Sequence, residues 1–200
     1  MIEVEVKYRV SKEDADRIAS NVLSIGGIFM GEEVQEDIYF QHPSRNFMLT
    51  DEALRVRYVG DRAEVTYKGP RIDLKSKTRE EIRVKVGDFD GTVLLLEKLG
   101  FLQVAKIVKK RKTYQLGETF LHLDYINNLG FFVEIESIAE DEREVEKKRD
   151  ELLIKAEELG IPTDGFELKS YLEIILENEG ATARQDSRIN PHLKSQGKLK

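Results

Sequence analysis

Two pairs of glutamates stand two residues apart in strand-like runs, Glu3 and Glu5 in "EVEVK" and Glu134 and Glu136 in "VEIES". At a rise of about 3.3 Å per residue, alternation puts each pair on one strand face, about 6–7 Å apart. Asp124 falls on the neighbouring hairpin strand. Clustered carboxylates repel one another unless a proton or a hard cation neutralises them. Oxygen-rich groups suit Mg²⁺ or Mn²⁺, which keep several waters and share a substrate phosphate. Lys7, Arg55, Arg57, Lys68, Arg79, Arg83, Lys109 and Arg111 supply the opposite charge on the same phase across several strands. Guanidinium forks and ammonium groups of this kind hold phosphate oxygens. Acids for a cation beside bases for phosphate point to metal-assisted displacement at phosphorus.

Other chemistries lack their residues. The chain has no cysteine, so neither a disulfide framework nor a thiolate site is available. No Gly-rich lysine loop, dinucleotide fingerprint or Ser-His-Asp arrangement is found. His42, His122 and His192 are too few and too scattered for a zinc site. His42 reads as a loop polar residue, with substrate contact as the alternative. His122 either faces the same side as Asp124 or is incidental. A net charge of −6 argues against nucleic-acid or membrane-surface binding. With no signal-peptide pattern and no long apolar run, a cytoplasmic protein is expected.

The elements that must position these residues are mostly strands. Period-two alternation predicts strands over 2–10, 28–40, 53–59, 63–69, 73–86, 102–115, 118–127 and 131–138. Gly60-Asp61 reads as a hairpin turn. One helix starts at Ser11, with Asp14 in the capping-box position, and ends at Gly26-Gly27. A second runs from near Asp88 to Gly100. A third, over 139–159, carries Glu/Lys/Arg pairs on a solvated face. "KSYLEIILEN" predicts a short final helix. Residues 1–178 are expected to form one domain and the polar stretch 179–200 a tail.

The strands have two unlike faces. Val4/Val6, Val56, Val65, Val84, Leu121/Leu123 and Val133/Ile135 lie on one, and the acids and bases on the other. A charged face in water is the simplest account of such a sheet. The amphipathic helices, however, need an apolar partner, and the strands offer the only large one. Eight antiparallel strands also remove their edges by closing. The expected fold is therefore α+β: a closed eight-stranded antiparallel barrel, helices outside, with charges of both signs lining the lumen. Lone buried charges are costly, so that lumen needs water, ion pairs, or a polyphosphate with its metal.

The ordered series "EVEVKYRV", "DIYF", "HPSRNFMLTDEALRVR", "TYKGP", "TREE", "KKRKTY", "HLDYINNLGFFVEIE" and "KSYLEIIL" resembles the CYTH superfamily, the triphosphate tunnel metalloenzymes. Within it, the stretch from His42 to Arg57 is most similar to the class IV adenylyl cyclase branch. The resemblance spans about residues 1–177. It implies that Glu3, Glu5, Asp124, Glu134 and Glu136 bind the metal. It also implies that Lys7, Arg55, Arg57, Lys68, Arg79, Lys109 and Arg111 bind triphosphate, with Glu5, Glu136 and Lys7 catalytic.

The expected activity is cyclase-like, ATP giving cyclic AMP and pyrophosphate with Mg²⁺ or Mn²⁺. The alternative is a triphosphatase acting on inorganic, nucleoside or thiamine triphosphate. A nucleotide or polyphosphate binding module without turnover is the alternative from another class. The expected partner is the triphosphate alone, and a homodimer is compatible with the apolar barrel exterior.

Overall fold

The computed structural model describes residues 2–73 and 75–178. The polar stretch 179–200, expected to be a tail, lies outside the described residues. Strands β1 (Ile2–Val10), β2 (Ile28–Gln41), β3 (Ala53–Val59), β4 (Arg62–Arg71), β5 (Arg79–Val86), β6 (Leu102–Leu116), β7 (Thr119–Ile126) and β8 (Gly130–Ala139) alternate with three helices. These are α1 (Lys12–Ser24), α2 (Phe89–Lys98) and α3 (Glu142–Glu158). The strands close into a barrel in the order β1-β5-β4-β3-β2-β6-β7-β8, antiparallel throughout. The α+β barrel expected from the alternation is the fold. Residues 169–178 are a separate compact unit, holding a helix over 171–178 with Ser170 Oγ accepting from Glu173 N at 3.2 Å. Among the described residues no helix is long and apolar enough to cross a membrane.

The apolar strand faces point outward, covered by helices over β1, β7, β8 and β3, while Ile82 and Val84 of β5 stay about half exposed. Val4, Val6, Leu121, Leu123, Val133 and Ile135 form one core with Ile18 and Val22 of α1 and Leu152 and Ala156 of α3. A second core joins Ile38, Leu54 and Val56 to Phe89, Val93 and Leu96 of α2. Each such aliphatic side chain contributes roughly 1.5–3 kcal/mol on full burial, and truncating Ile18 to Ala would cost about 2–5 kcal/mol. The charged phase is thereby turned inward.

Local signals set the joints. Ser11 Oγ caps α1 by accepting from Asp14 N at 3.0 Å, and Asp88 caps α2 by accepting from Gly91 N at 3.0 Å. Gly60, in the two-residue turn between Val59 and Arg62, takes φ +60°, a region glycine enters without steric cost. α3 starts later than expected, because β8 continues to Ala139 and Asp141 caps the helix.

β5 departs most from the sequence expectation, beginning at Arg79 rather than near 73. Asp73 accepts from Lys75 N at 3.0 Å and from Ser76 Oγ at 2.7 Å, a side-chain turn that competes with the ladder. β1 therefore meets β5 only at Ile2↔Glu80 and Glu3↔Arg79. Its next carbonyls find other donors: Lys77 N donates to Glu5 O at 3.0 Å, and Glu167 N to Lys7 O at 2.8 Å. The edge is thus covered by a turn on one side and a strap on the other. Gly165 lets the strap approach, since a Cβ there would lie 2.0 Å from Arg9 O.

Candidate active site in the barrel lumen

Glu5 stands directly opposite Glu136 in the β1–β8 register. Like charges in that position destabilise a sheet. Glu3 joins them, and one carboxylate oxygen from each of the three lies within 4.8 Å of the others. Bases surround the group. Lys77 Nζ donates to Glu5 Oε1 at 2.9 Å, and Lys68 Nζ lies 3.7 Å from Glu3 Oε1. Arg83 contacts Glu3 and donates to Glu81 Oε2 at 2.8 Å, while Lys68 also contacts Glu81. His122 faces the lumen, its Nε2 3.2 Å from Glu136 Oε1 and its Nδ1 3.0 Å from Thr113 Oγ1.

A second group belongs to β6, β7 and β8. Arg111 grips Asp124 through Nε at 2.7 Å and Nη2 at 2.6 Å and also contacts Glu134. Lys109 Nζ donates to the same Asp124 carboxylate at 3.1 Å. Lys7, opposite Glu134 in the register, is fully buried. The third group is on β2 and β3. Asp37 accepts from Arg57 Nε at 2.6 Å and Nη2 at 2.7 Å, and from Arg55 Nη1 at 3.5 Å.

The acids expected to bind a metal are thus divided by the fold. Glu3, Glu5 and Glu136 converge, whereas Asp124 and Glu134 lie among Arg111, Lys109 and Lys7. Arg79 lies where β4 ends and β5 begins, its guanidinium 3.3 Å from Asp51 O and 3.5 Å from Asp51 Oδ1. His42 accepts from Ser44 N at 3.1 Å and packs edge-on against Phe101, a loop role. Asp37 and Lys77 belong to the lumen clusters without being among the expected site residues, and Arg83, a base of the expected phase, joins them although the resemblance assigns it no role. The phase of their strands signals Asp37 and Arg83. Nothing periodic signals Lys77, which sits in the turn before β5. The lumen phase is also not charged along its whole length: Ile107, Ile126 and Phe132, paired with Asp37, Lys109 and Asp124, are buried.

The protonation equilibria follow from burial set against these partners. Burial pushes Glu3 up to about 8, Lys68 opposing and Glu136 and Glu81 adding to the rise. Burial would raise Asp124 too, but Arg111 and Lys109 outweigh it and hold it at about 2. Glu81 is held at about 2, Lys68 and Arg83 overcoming burial. Burial and then Arg111 bring Lys109 down to about 8. Burial, and next the charge of Lys77, push Lys7 well below the usual lysine range. Around Asp124 and Glu81 acid and base hold each other in their charged forms, whereas burial favours the neutral forms of Glu3 and Lys7. An anionic guest would compete with the acids for the bases, and a cation with the bases for the acids.

A closed antiparallel barrel whose lumen carries an acidic triad among lysines and arginines defines the triphosphate-tunnel class of architecture. The CYTH domain pattern matches residues 1–171, and the chain belongs to the CYTH domain family. It is 40% identical over 174 residues, 87% of its length and 98% of the relative, to a Methanocaldococcus jannaschii protein named "Putative adenylate cyclase". It is 29% identical to "Adenylate cyclase CyaB" of Aeromonas hydrophila, over 84% of this chain and 86% of that one. The solved PH1819 protein of Pyrococcus horikoshii OT3 superposes with a TM-score of 0.81 at 41% identity, covering 88% of this chain and 99% of the other.

Proposed function

We propose that this protein is a divalent-cation-dependent enzyme that converts ATP to cyclic AMP and pyrophosphate inside the barrel. The observation that carries the reading is Glu5 directly opposite Glu136, with Glu3 beside them, in a lumen that also carries Lys68, Arg83, Lys77, Lys109 and Arg111. A stability-selected sheet would not keep that pair. Glu3, Glu5 and Glu136 offer the hard oxygen donors that suit Mg²⁺ or Mn²⁺. Such a cation, when bound, supplies positive charge to phosphate oxygens and aligns attacking and leaving groups.

The remaining work falls to the chain's own side chains. Arg55, Arg57, Lys109 and Arg111, freed from Asp37 and Asp124, hold phosphate oxygens in place of those carboxylates. Lys68 and Arg83 do the same beside the acidic triad. In cyclisation the ATP 3′-oxygen forms a bond to the α-phosphorus, the bond from that phosphorus to the bridging oxygen breaks, and pyrophosphate leaves with the pair. Lys7 Nζ, whose proton affinity burial lowers, is suited to accept the hydroxyl proton. The cyclase direction rests on the names of the relatives.

A triphosphatase is the second reading. The three ion-pair groups are built for charge, and a triphosphate with no nucleoside satisfies them equally; water then attacks the terminal phosphorus. Incubation with ATP, inorganic triphosphate and thiamine triphosphate, each with Mg²⁺ or Mn²⁺, separates the readings once products are resolved. Cyclic AMP with pyrophosphate is expected. Orthophosphate in its place establishes the triphosphatase. Tight binding without turnover of any of them removes the enzyme reading.

A further inference from the structure

Gln35 lies on β2 in the lumen phase, two residues before Asp37 and opposite Lys109, and is only 4% exposed. Its Nε2 donates to Glu33 Oε1 at 2.5 Å. That bond fixes the amide: turned over, it would set a carbonyl oxygen against a carboxylate oxygen, two acceptors with no proton between them. Oε1 therefore points away from Glu33, and among the described residues it is buried with no hydrogen-bond partner. The ammonium opposite is turned to Asp124, to which Lys109 Nζ donates at 3.1 Å.

Buried acceptors are nearly always satisfied, and one that is not has an explanation in function or in a bound molecule. An ionised phosphate cannot supply the missing partner, since its oxygens only accept. The groups around Gln35 that suit phosphate are cationic; Gln35 Oε1 suits a donor. A nucleoside carries such donors in its ribose hydroxyls and any exocyclic amine. We infer that Gln35 is a specificity-determining residue that accepts a hydrogen bond from the nucleoside part of the guest, and so selects nucleoside triphosphates over inorganic triphosphate. This inference rests on the triphosphate reading of the lumen.

The test uses bis-methylene analogues of ATP and of inorganic triphosphate, whose P–C–P bridges neither cyclisation nor hydrolysis can break, titrated calorimetrically with Mg²⁺ present. Gln35→Met keeps the side-chain length and removes the acceptor. The expected result is a loss of about tenfold in affinity for the ATP analogue, the equivalent of one hydrogen bond. Affinity for the triphosphate analogue stays within about twofold. Analogues lacking the 2′-hydroxyl, the 3′-hydroxyl or the 6-amino group then identify the donor: one of them weakens binding to the native protein and shows no penalty with Gln35→Met. Equal losses for both ligands in the variant, or penalties for every analogue that persist in it, overturn the inference. A native protein that binds neither ligand overturns the triphosphate reading itself, a separate outcome. Because the ligand-side deletions are measured on the native protein, a Gln35→Met variant that fails to fold leaves a decisive arm: no loss from any deletion refutes the proposal.

Discussion

Asp37→Asn removes one negative charge from between two guanidinium groups. The native carboxylate takes Arg57 at 2.6 and 2.7 Å and Arg55 at 3.5 Å. Arg55 is 7% exposed, and the Arg57 side chain 14%. Removing one partner of a buried pair costs about 3–5 kcal/mol, because the remaining charge is left uncompensated. The asparagine oxygen keeps some hydrogen bonding and Arg57 reaches some water, so the lower end, about 3 kcal/mol, applies. For a chain of this size each kcal/mol shifts the melting temperature by roughly 2–4 °C, giving a drop of roughly 6–12 °C. The assay is thermal unfolding followed by circular dichroism, with and without inorganic triphosphate. Triphosphate supplies the lost counter-charge, and a ligand present at 100 times its Kd adds about 2.7 kcal/mol, so the variant should gain more from it than the native protein does. A melting temperature within 2 °C of native, or an equal gain from triphosphate, would refute the reasoning that Asp37 is a stand-in for phosphate.

Acid should loosen the empty lumen in a defined window. Asp124 and Glu81 have folded-state values lowered to about 2 from 3.8 and 4.5, so their contribution is present above the unfolded values and is lost as pH falls toward 2. Melting temperatures measured from pH 6 to pH 2 should rise toward about 5, because Glu3, raised to about 8, binds its proton more tightly in the folded state. Below about pH 5 they should fall; a profile with no fall there contradicts the assignment. Lys77→Met should tighten Mn²⁺ binding by roughly tenfold, since it removes the ammonium 2.9 Å from Glu5 that a cation must displace. Calorimetric titration showing weaker Mn²⁺ binding would instead make Lys77 a support for the acid geometry.

Much of this site was legible in the residue pattern because a strand's period of two is a strict rule. Once Val4 and Val6 are outward, Glu3, Glu5 and Lys7 have no other direction to take, and closure follows from eight antiparallel strands needing partners. Three features escaped that rule. Lys77 is delivered by the Asp73 side-chain turn, which breaks a run that alternates well enough to look like strand. The separation of Asp124 and Glu134 from the acidic triad is set by register and by Arg111, neither visible in spacing along the chain. Ile107, Ile126 and Phe132 share the phase of the charges, so that face mixes apolar with charged side chains.

The most direct measurement is Mn²⁺ binding by electron paramagnetic resonance with the native protein, Glu5→Gln, Glu136→Gln and the surface control Asp141→Asn. Glu3, Glu5 and Glu136 converge within 4.8 Å, and the loss of either varied carboxylate should remove the bound-manganese signal, together with turnover of ATP, while the fold and the Asp141→Asn signal persist. Full manganese binding in both glutamine variants would show that the acidic triad is not the cation site.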